Sequence, residues 1–319
     1  MNRPGTTGAG LVLLAAVGYG TLPVVSRFAG EAGISTVTFV TWRSVIGAAI
    51  LVIAVVALIR ARRMAAPRWS EVALLHHVQV MVVAVMTILT NLALFTAFGQ
   101  TSIAIVLICF YTFPVMVAVA AVRVYGEPLT PSRIGALLLA STGMLLVVLA
   151  PALGQEGVEV ALIGIVLGLA AASFQAVYAL IAGRGYPTLT AGQAAMAISS
   201  AAAVGYVAIA IVGGSVAALA EPFDGGGWVW IVTGAVIGLA IPTAAVLAGF
   251  RQLGPTRASI LMLLEPVVAV MLAALLIAER PSPLQLAGGL LVLVGGALAQ
   301  VRWRSRRGDA VQQAEAELL

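Results

Sequence analysis

The chain has 319 residues, of which 61% are hydrophobic and only 9% are charged, and its mean hydropathy is +1.10. Because soluble globular proteins carry about 25% charged residues, this composition excludes a protein whose whole surface faces water. The net charge is +5, and all 17 basic residues are arginines that lie mostly between hydrophobic segments. This placement indicates membrane orientation rather than nucleic-acid binding. Cys109 is the only cysteine, which excludes an intrachain disulfide.

Ten segments are apolar and long enough for a membrane-crossing helix, which needs about 20 residues. We expect such helices near 8–29, 36–59, 74–97, 101–122, 132–151, 160–182, 190–212, 228–250, 256–277 and 283–301. The first segment follows Arg3 as in a signal peptide, but it is long, and Tyr19, Pro23 and Arg27 interrupt it. We therefore predict an all-α polytopic membrane protein in which the first segment is a span.

The arginines predict the orientation of the chain. With a cytoplasmic N-terminus, 14 of the 17 arginines fall at the inner ends of spans, while Arg27 and Arg280 fall outside and Arg43 lies within the second span. Positively charged residues are enriched in cytoplasmic loops. We therefore expect a multi-pass protein of the cell (inner) membrane with both termini cytoplasmic, including a tail at 302–319.

Part of the first half returns 152 positions later. The segment 110–119 matches 262–271, and the same offset relates Glu127 to Glu279 and Gly143 to Gly295. The spans divide into two five-helix repeats, at 8–151 and 160–301. Because each repeat has an odd number of spans, the second must insert upside down relative to the first, which is typical of transporters with alternating access.

Glycines spaced four residues apart let membrane helices approach closely. Gly164 and Gly168 form one such pair, and Gly234 and Gly238 form another. Neither pair follows a strand, so neither resembles a nucleotide-binding loop. We interpret both pairs as helix-packing positions.

Three motifs carry a resemblance to a known family. They are the span-1 element Gly18-Tyr19-Gly20-Thr21, the segment Trp42-Arg43-Ser44-Val45-Ile46-Gly47-Ala48, and the paired Pro114…Gly126-Glu127-Pro128 and Glu265-Pro266…Ala278-Glu279-Arg280. Together they resemble the EamA-type branch of the drug/metabolite transporter superfamily. The resemblance covers nearly the whole chain. It implies ten spans in two inverted repeats and a transporter, since members export amino acids, other metabolites or drugs, and some import.

One segment is similar to a subgroup of that family. Tyr111-Thr112-Phe113-Pro114 resembles the Tyr-x-aromatic-Pro segment of its aromatic amino-acid exporters. Those exporters have a neutral residue at the position of Glu265, so this chain departs from their pattern.

Polar residues within spans are candidates for a solute pathway, because a polar stripe must turn toward protein or a water-filled cavity. Span 3 carries such a stripe, from His76 and Gln79 through Thr87 and Thr90 to Asn91. Of these we select Thr87 and Asn91, for which interhelical hydrogen bonding is the equally weighted alternative.

Aromatic residues of other spans complete the candidate pathway: Tyr19, Tyr111, Phe174 and Tyr178, with Gln175 beside the last two. Phe174 and Tyr178 lie four residues apart on one helix face. They can bind an apolar or aromatic solute between their rings, or they can serve only to pack against neighbouring helices.

Four prolines are candidate helix breaks that allow gating: Pro23, Pro114, Pro242 and Pro266. Proline lacks a backbone N–H and bends a helix, which frees carbonyl groups near the membrane centre. Pro114 and Pro266 occupy equivalent positions of spans 4 and 9, which points to the interface between the repeats.

Glu265 lies near the middle of span 9, where an ionised carboxylate is costly unless it is protonated, paired or facing water. We consider proton coupling, binding of a solute amine, and a structural hydrogen bond beside Pro266. Arg43 either pairs with Glu265 or snorkels toward the outer interface. Glu127 and Glu279 are interpreted as structural residues at helix ends.

These observations favour a secondary transporter of small organic solutes that works by alternating access and exports amino acids or related metabolites. The expected partners are a small-molecule solute, the lipid bilayer and, as a candidate coupling ion, protons; the oligomeric state stays open. An importer of a small metabolite and a non-transporting scaffold or sensor are the alternatives. An enzyme, a cofactor, a metal site and nucleic-acid binding are not expected, because the adjacent His76 and His77 diverge on a helix and no nucleotide-binding motif occurs.

Overall fold

A computed structural model describes residues 4–67, 73–98, 100–101, 103–150, 161–186, 188–220, 223, 225–276 and 280–300. Its helices are α1 (Pro4–Gly20), α2 (Leu22–Glu31), α3 (Thr36–Arg60), α4 (Leu74–Phe98), α5 (Ile103–Phe110), α6 (Phe113–Tyr125), α7 (Pro131–Leu149), α8 (Leu162–Arg184), α9 (Ala191–Val212), α10 (Val216–Ala220), α11 (Gly225–Ala235), α12 (Ile241–Leu253), α13 (Pro255–Met262), α14 (Leu264–Leu276) and α15 (Pro283–Gln300). A π-helical segment, Val236–Ala240, joins α11 to α12. No strand occurs in the described ranges.

These helices form ten spans that are long and apolar enough to cross a membrane, from Thr7–Glu31 to Pro283–Gln300. Span 1 combines α1 and α2, span 4 combines α5 and α6, span 8 combines α11, the π segment and α12, and span 9 combines α13 and α14. The unbroken helices α3, α4, α7, α8, α9 and α15 are spans 2, 3, 5, 6, 7 and 10. The predicted fold class, a ten-span all-α membrane protein with two five-helix repeats, is confirmed.

Local sequence explains where several helices begin. Ser35 precedes α3 and accepts a hydrogen bond from the Thr38 backbone N–H at 3.2 Å. Thr190 precedes α9 and forms a reciprocal capping box with Gln193, whose Oε1 accepts from the Thr190 N–H at 2.9 Å. Such caps satisfy backbone donors that have no partner inside the helix.

The spans that contain Pro23, Pro114, Pro242 and Pro266 depart from a continuous α-helix near those prolines. Breaks occur at Thr21, at 111–112 and at Leu263, and span 8 has the π segment just before Pro242. The hydroxyl groups of Thr21 and Thr112 donate to the carbonyl oxygens of Gly18 and Cys109, both at 2.6 Å. These side chains satisfy carbonyls that the breaks release within the membrane.

The most extensive helix pairs join one half of the chain to the other. Span 5 packs on span 10, span 2 on span 7, span 3 on span 6 and span 1 on span 8. Exchanging the halves, so that span 1 takes the place of span 6 and so on, reproduces the same set of pairs. The packing therefore follows the inverted repeat.

The repeat-related glycines lie where spans 5 and 10 meet. A β-carbon on Gly143 would stand 2.5 Å from the carbonyl oxygen of Gly288, and one on Gly295 would stand 2.7 Å from the backbone nitrogen of Ala140. Real side chains essentially never approach backbone this closely, so only glycine fits at either position without a shift of the helices.

The two GxxxG pairs also serve packing, as predicted. Gly164 contacts Thr101, and a β-carbon on Gly168 would stand 2.8 Å from that of Cys109. On span 8, Gly234 lies against Phe39 and Gly238 against Leu22. Each pair therefore brings one helix close to the other half of the chain.

Loops at one end of the molecule are tied together by hydrogen bonds. Arg251 Nη1 donates to the Leu189 carbonyl oxygen at 3.1 Å, and Gln193 Nε2 donates to that of Ala65 at 2.8 Å. This is the end that the arginine distribution assigns to the cytoplasm, and it is called the inner end below. The predicted tail at 302–319 and the helix-end residue Glu279 lie outside the described residues.

Aromatic side chains tie spans 1, 2 and 8 together at the opposite, outer end. The rings of Phe28 and Trp230 stack with centroids 4.7 Å apart, and the rings of Trp42 and Trp228 meet edge to face with centroids 5.5 Å apart. Tryptophan is enriched at membrane–water interfaces, so this cluster is consistent with the end of the membrane-embedded region.

Candidate functional site

A cavity of about 220 Å³ lies between the two halves, near the middle of the spans. Every span except 5 and 10 contributes to its wall. Its polar lining consists of Tyr19, Arg43, Ser44, Thr87, Thr90, Asn91, Gln175, Tyr178, Ser199, Tyr206, Thr243 and Glu265. A single water needs only about 10–15 Å³ of such space, so the cavity has room for a small organic molecule.

Six of the eight predicted pathway residues line this cavity: Tyr19, Thr87, Asn91, Gln175, Tyr178 and Glu265. Tyr111 and Phe174 do not belong to the lining. Tyr111 is 5% exposed at the break of span 4, where its ring lies 5.2 Å from that of Phe110, which does line the cavity. Phe174 is half-buried one helical turn before Tyr178.

The polar stripe of span 3 divides into two parts. Thr87, Thr90 and Asn91 line the cavity, whereas His76 and Gln79 lie nearer the inner end and outside it. The Nδ1 atom of His76 and the Oε1 atom of Gln79 are buried, and neither has a hydrogen-bond partner in the part of the chain that the structure describes. Spacing alone could not separate the parts, since all these residues fall near one helix face.

Both selected residues of span 3 also bond to their own helix. Thr87 Oγ1 donates to the Val83 carbonyl oxygen at 2.9 Å, and Asn91 Nδ2 donates to that of Thr87 at 2.8 Å. The hydroxyl of Tyr206, from span 7, donates to the same Thr87 carbonyl at 3.4 Å. Each of these side chains therefore bonds to its own helix and also lines the cavity, and its role in a solute pathway stays a prediction.

The interrupted parts of spans 1, 8 and 9 meet beside the cavity. A β-carbon on Gly20 would stand 2.9 Å from the Glu265 carbonyl oxygen, and one on Gly18 would stand 2.6 Å from that of Ile237 in the π segment. The glycines that flank Tyr19 thus allow three irregular backbone segments to approach each other. Irregular backbone at membrane depth is tolerated where it is enclosed by protein or lines a cavity.

Arg43 does not snorkel outward, and this corrects one of the two expectations for it. The residue is only 8% exposed, and its guanidinium carbon lies 5.6 Å from the centre of the Phe39 ring. A β-carbon on Gly234 would stand 3.3 Å from Arg43 Cδ, so the bare glycine backbone leaves room for the side chain inside the bundle. Arg43 lines the cavity instead.

The other expectation for Arg43, an ion pair with Glu265, is not met either. No carboxylate of the described residues lies within 4.0 Å of its guanidinium. Among the described residues, the buried Nε atom of Arg43 has no hydrogen-bond partner. Arg43, Tyr19 and Glu265 all line the same cavity.

Glu265 occupies the first turn of α14, directly after the break at Leu263. A helix N-terminus carries partial positive charge and stabilises a carboxylate. The break therefore lowers the free-energy cost of a glutamate at this depth. The side chain is half-buried and faces the cavity. Within the described residues it has no recorded ion pair or hydrogen bond.

Sequence reasoning missed several polar lining residues. Ser44 lies on span 2, and Ser199 and Tyr206 lie on span 7. Single polar residues in an apolar helix give a weak signal, and the central packing of span 2 against span 7 is what brings them to the site. Thr243, beside Pro242, completes the polar wall from span 8.

The glutamate between spans 4 and 5 closes the inner end rather than lining the cavity. Glu127 Oε2 accepts from Thr256 Oγ1 at 3.0 Å and lies 3.4 Å from Arg133 Nη1. Because Thr256 belongs to the second half, this carboxylate links the two halves. Within the described ranges, no group of three His, Cys, Asp or Glu side chains could hold a metal ion.

Spans 4 and 9 are enclosed unequally along their length. In span 9, every residue of 258–264 is buried, whereas none of 268–276 is. The inner segments α6 and α13 pack against each other, and the outer segments α5 and α14 have no comparable contact. The two repeat-related spans therefore meet on the inner side of their breaks and separate on the outer side.

Comparisons with known proteins agree with this architecture. The sequence model of the EamA-like transporter family matches residues 6–149 and again residues 162–300. One solved crystal structure, described only as that of a protein, covers 92% of this chain and 98% of its own with a TM-score of 0.73 and 18% identity, which shows a shared fold. Among curated proteins, none matches the chain significantly.

Proposed function

Because the chain belongs to the EamA-like transporter family, we propose that it is a secondary transporter that moves small organic solutes by alternating access. Its substrates are amino acids or related metabolites, and the direction is export from the cytoplasm across the inner membrane. The family consists of membrane transporters, so a solute and a lipid bilayer are the partners that membership implies. Both termini lie in the cytoplasm.

The observation that carries the proposal is the position of the cavity. It lies between the two inverted halves, where the substrate sites of repeat-built transporters are found. Eight of the ten spans contribute to its wall, and the broken spans 1, 4, 8 and 9 are among them. A scaffold that moves nothing gives no reason for a polar cavity beside four interrupted helices.

Alternating access is supported by the unequal packing of spans 4 and 9. The inner end is closed by α6 on α13 and by the contact between Glu127 and Thr256. The separation of α5 from α14 supports an outward-facing state. In the opposite state, the outer segments approach and the inner segments part, with Pro23, Pro114, Pro242 and Pro266 placed at the flexible points.

The two predicted residues outside the lining have a role in this scheme. Tyr111 sits at the break of span 4, and Phe174 lies one turn from Tyr178. A movement of span 4 about its break changes what both rings face. They contact solute in the inward-facing state, whereas Tyr19, Thr87, Asn91, Gln175, Tyr178 and Glu265 contact it in both.

Energy comes from a solute or proton gradient, with Glu265 as the residue that binds the proton. The carboxylate faces a polar cavity and has no protein counterion within 4.0 Å among the described residues. An intramembrane acid in that position marks an ion or substrate pathway by default.

The proposal is tested by solute counterflow in proteoliposomes, with vesicles preloaded with unlabelled L-amino acids and labelled amino acids outside. Ser199→Trp fills the cavity and is expected to abolish uptake. Val204→Trp is the matched control, because Val204 is 71% exposed on the same helix and faces outward. Counterflow in the wild type and the control, but not in Ser199→Trp, supports transport through this cavity.

Two alternatives give different results in the same system. Absence of flux for amino acids and for a broad metabolite mixture would favour the scaffold or sensor. Net accumulation against a gradient in right-side-out vesicles, and not in inside-out vesicles, would identify an importer.

A further inference from the structure

The cavity contains a positive and a negative side chain that do not neutralise each other. Arg43 enters from span 2 and Glu265 from span 9. Their charged groups are not within 4.0 Å of each other, and Tyr19 lines the same cavity. Each of the two groups therefore reaches the cavity without a counterion among the described residues.

Of these two side chains, Arg43 is the more deeply buried. More than nine-tenths of the residue is buried, its guanidinium lies over the face of the Phe39 ring, and no group of the described residues bonds to its Nε. A buried charge that lacks a partner is strongly destabilising. The guanidinium is therefore available to an anionic group that enters the cavity.

The chemistry of guanidinium specifies that group. Arginine presents donors in a planar fork that matches the two oxygens of a carboxylate. Lysine would offer a point charge without this geometry. Ser44 and Tyr206 line the same wall, but their hydroxyl groups already donate to the carbonyl oxygens of Val40 and Thr87. The guanidinium of Arg43 is therefore the group that offers donors to a carboxylate here.

Resting on the function proposed above, we propose that Arg43 binds the carboxylate of the transported solute and Glu265 faces its ammonium group, so that the substrate is a zwitterionic amino acid. The substrate then supplies both missing counterions in one molecule. The rings of Tyr178, Phe110 and Phe113 leave an apolar wall for its side chain. A neutral solute would leave both charges unpaired, and a dianion would repel Glu265.

The test uses the full-length protein in detergent and measures thermal stabilisation by the twenty L-amino acids. The amino acid that stabilises most is then compared with its primary amide, which lacks the carboxylate, and with its N-acetyl derivative, which lacks the ammonium group. Ligands that bind only the folded state raise its stability by mass action. We expect both derivatives to bind the wild type at least about tenfold more weakly than the amino acid.

Variants assign the carboxylate to Arg43. Arg43→Gln is expected to weaken binding of the amino acid at least about tenfold without further weakening the amide, and Arg43→Lys should retain part of the affinity. Arg60→Gln, an exposed arginine at the inner end of the same helix, is the matched control and should bind normally. The derivatives test the wild type directly, so the result does not depend on folding of a variant.

Several outcomes overturn the inference. One is that Arg43→Gln binds the amino acid as tightly as the wild type does. Another is that Arg43→Gln loses affinity equally for the amino acid and for its amide. If the wild type binds the amino acid and its N-acetyl derivative equally well, the ammonium group is not recognised and the substrate need not be a zwitterion. Wild-type transport of a solute without a carboxylate would refute this inference and leave the proposed function intact, whereas absence of any transport would refute both.

Discussion

The hydroxyl groups of Tyr19 and Thr243 lie 3.1 Å apart. Tyr19 stands just before the break of span 1, and Thr243 follows the π segment of span 8. The bond therefore joins two irregular segments from opposite halves at the wall of the cavity. Hydrogen bonds between membrane helices contribute about 0.6 kcal/mol on average and at most about 1.7 kcal/mol.

A double-mutant cycle tests this link. Tyr19→Phe and Thr243→Val should each lower stability in detergent, and the double variant should lose less than the sum of the two, by about 0.6 kcal/mol. Additive losses would show that the two hydroxyl groups do not interact. Thr41→Val serves as a control for removing a buried threonine hydroxyl elsewhere, since Thr41 is outside the lining.

Glu265→Gln tests proton coupling. The amide keeps the size of the side chain and cannot ionise, so the transport that this variant retains should no longer depend on pH, while the protein still folds. The other titratable side chains in the cavity lining are the guanidinium of Arg43 and the phenols of Tyr19, Tyr178 and Tyr206. Flux is measured between pH 5.5 and 8, where these phenols stay protonated. An unchanged pH profile would remove Glu265 from the coupling mechanism.

The repeat-related prolines are expected to govern the rate of transport rather than binding. Alanine at Pro114 or Pro266 restores a backbone donor and favours a continuous helix, which should slow turnover several-fold with little change in amino-acid affinity. Pro131→Ala is the control, since Pro131 begins α7, where a backbone donor has no partner inside the helix. Counterflow measures the transport rate, and thermal stabilisation by the amino acid measures its affinity. Equal effects at all three prolines would argue against flexing at the breaks.

The packing of span 5 on span 10 predicts a large difference between two glycines. Gly143→Ala places a methyl group against the backbone of Gly288 and Val292, and such overpacking costs roughly 1–3 kcal/mol. Gly10→Ala, where nothing lies within 4 Å, should be neutral or slightly stabilising. Thermal unfolding in detergent measures both. Similar stability of the two variants would contradict the close approach of these helices.

The candidate site was only partly visible in the sequence. Six of the eight selected pathway residues line the cavity, because polar side chains in a lipid-crossing helix must face protein or water. Tyr111 and Phe174 lie outside the lining. The sequence could not show this, because the spacing of residues in a helix does not tell which face turns toward the cavity. Arg43 neither snorkels nor pairs with Glu265, and nothing in the sequence shows that Gly234 of span 8 makes room for its side chain in the bundle.

The sequence by itself determined the number of spans, the division into inverted repeats and the interruption of the spans that carry internal prolines. These features follow from local properties: the length of apolar runs, the distribution of arginine, and a residue that lacks a backbone donor. Only the tertiary structure decided which helices pair, which face of each turns inward, and that Arg43 and Glu265 enter one cavity without pairing. Those features depend on the fit of side chains between helices far apart in the chain, and no local pattern encodes that fit.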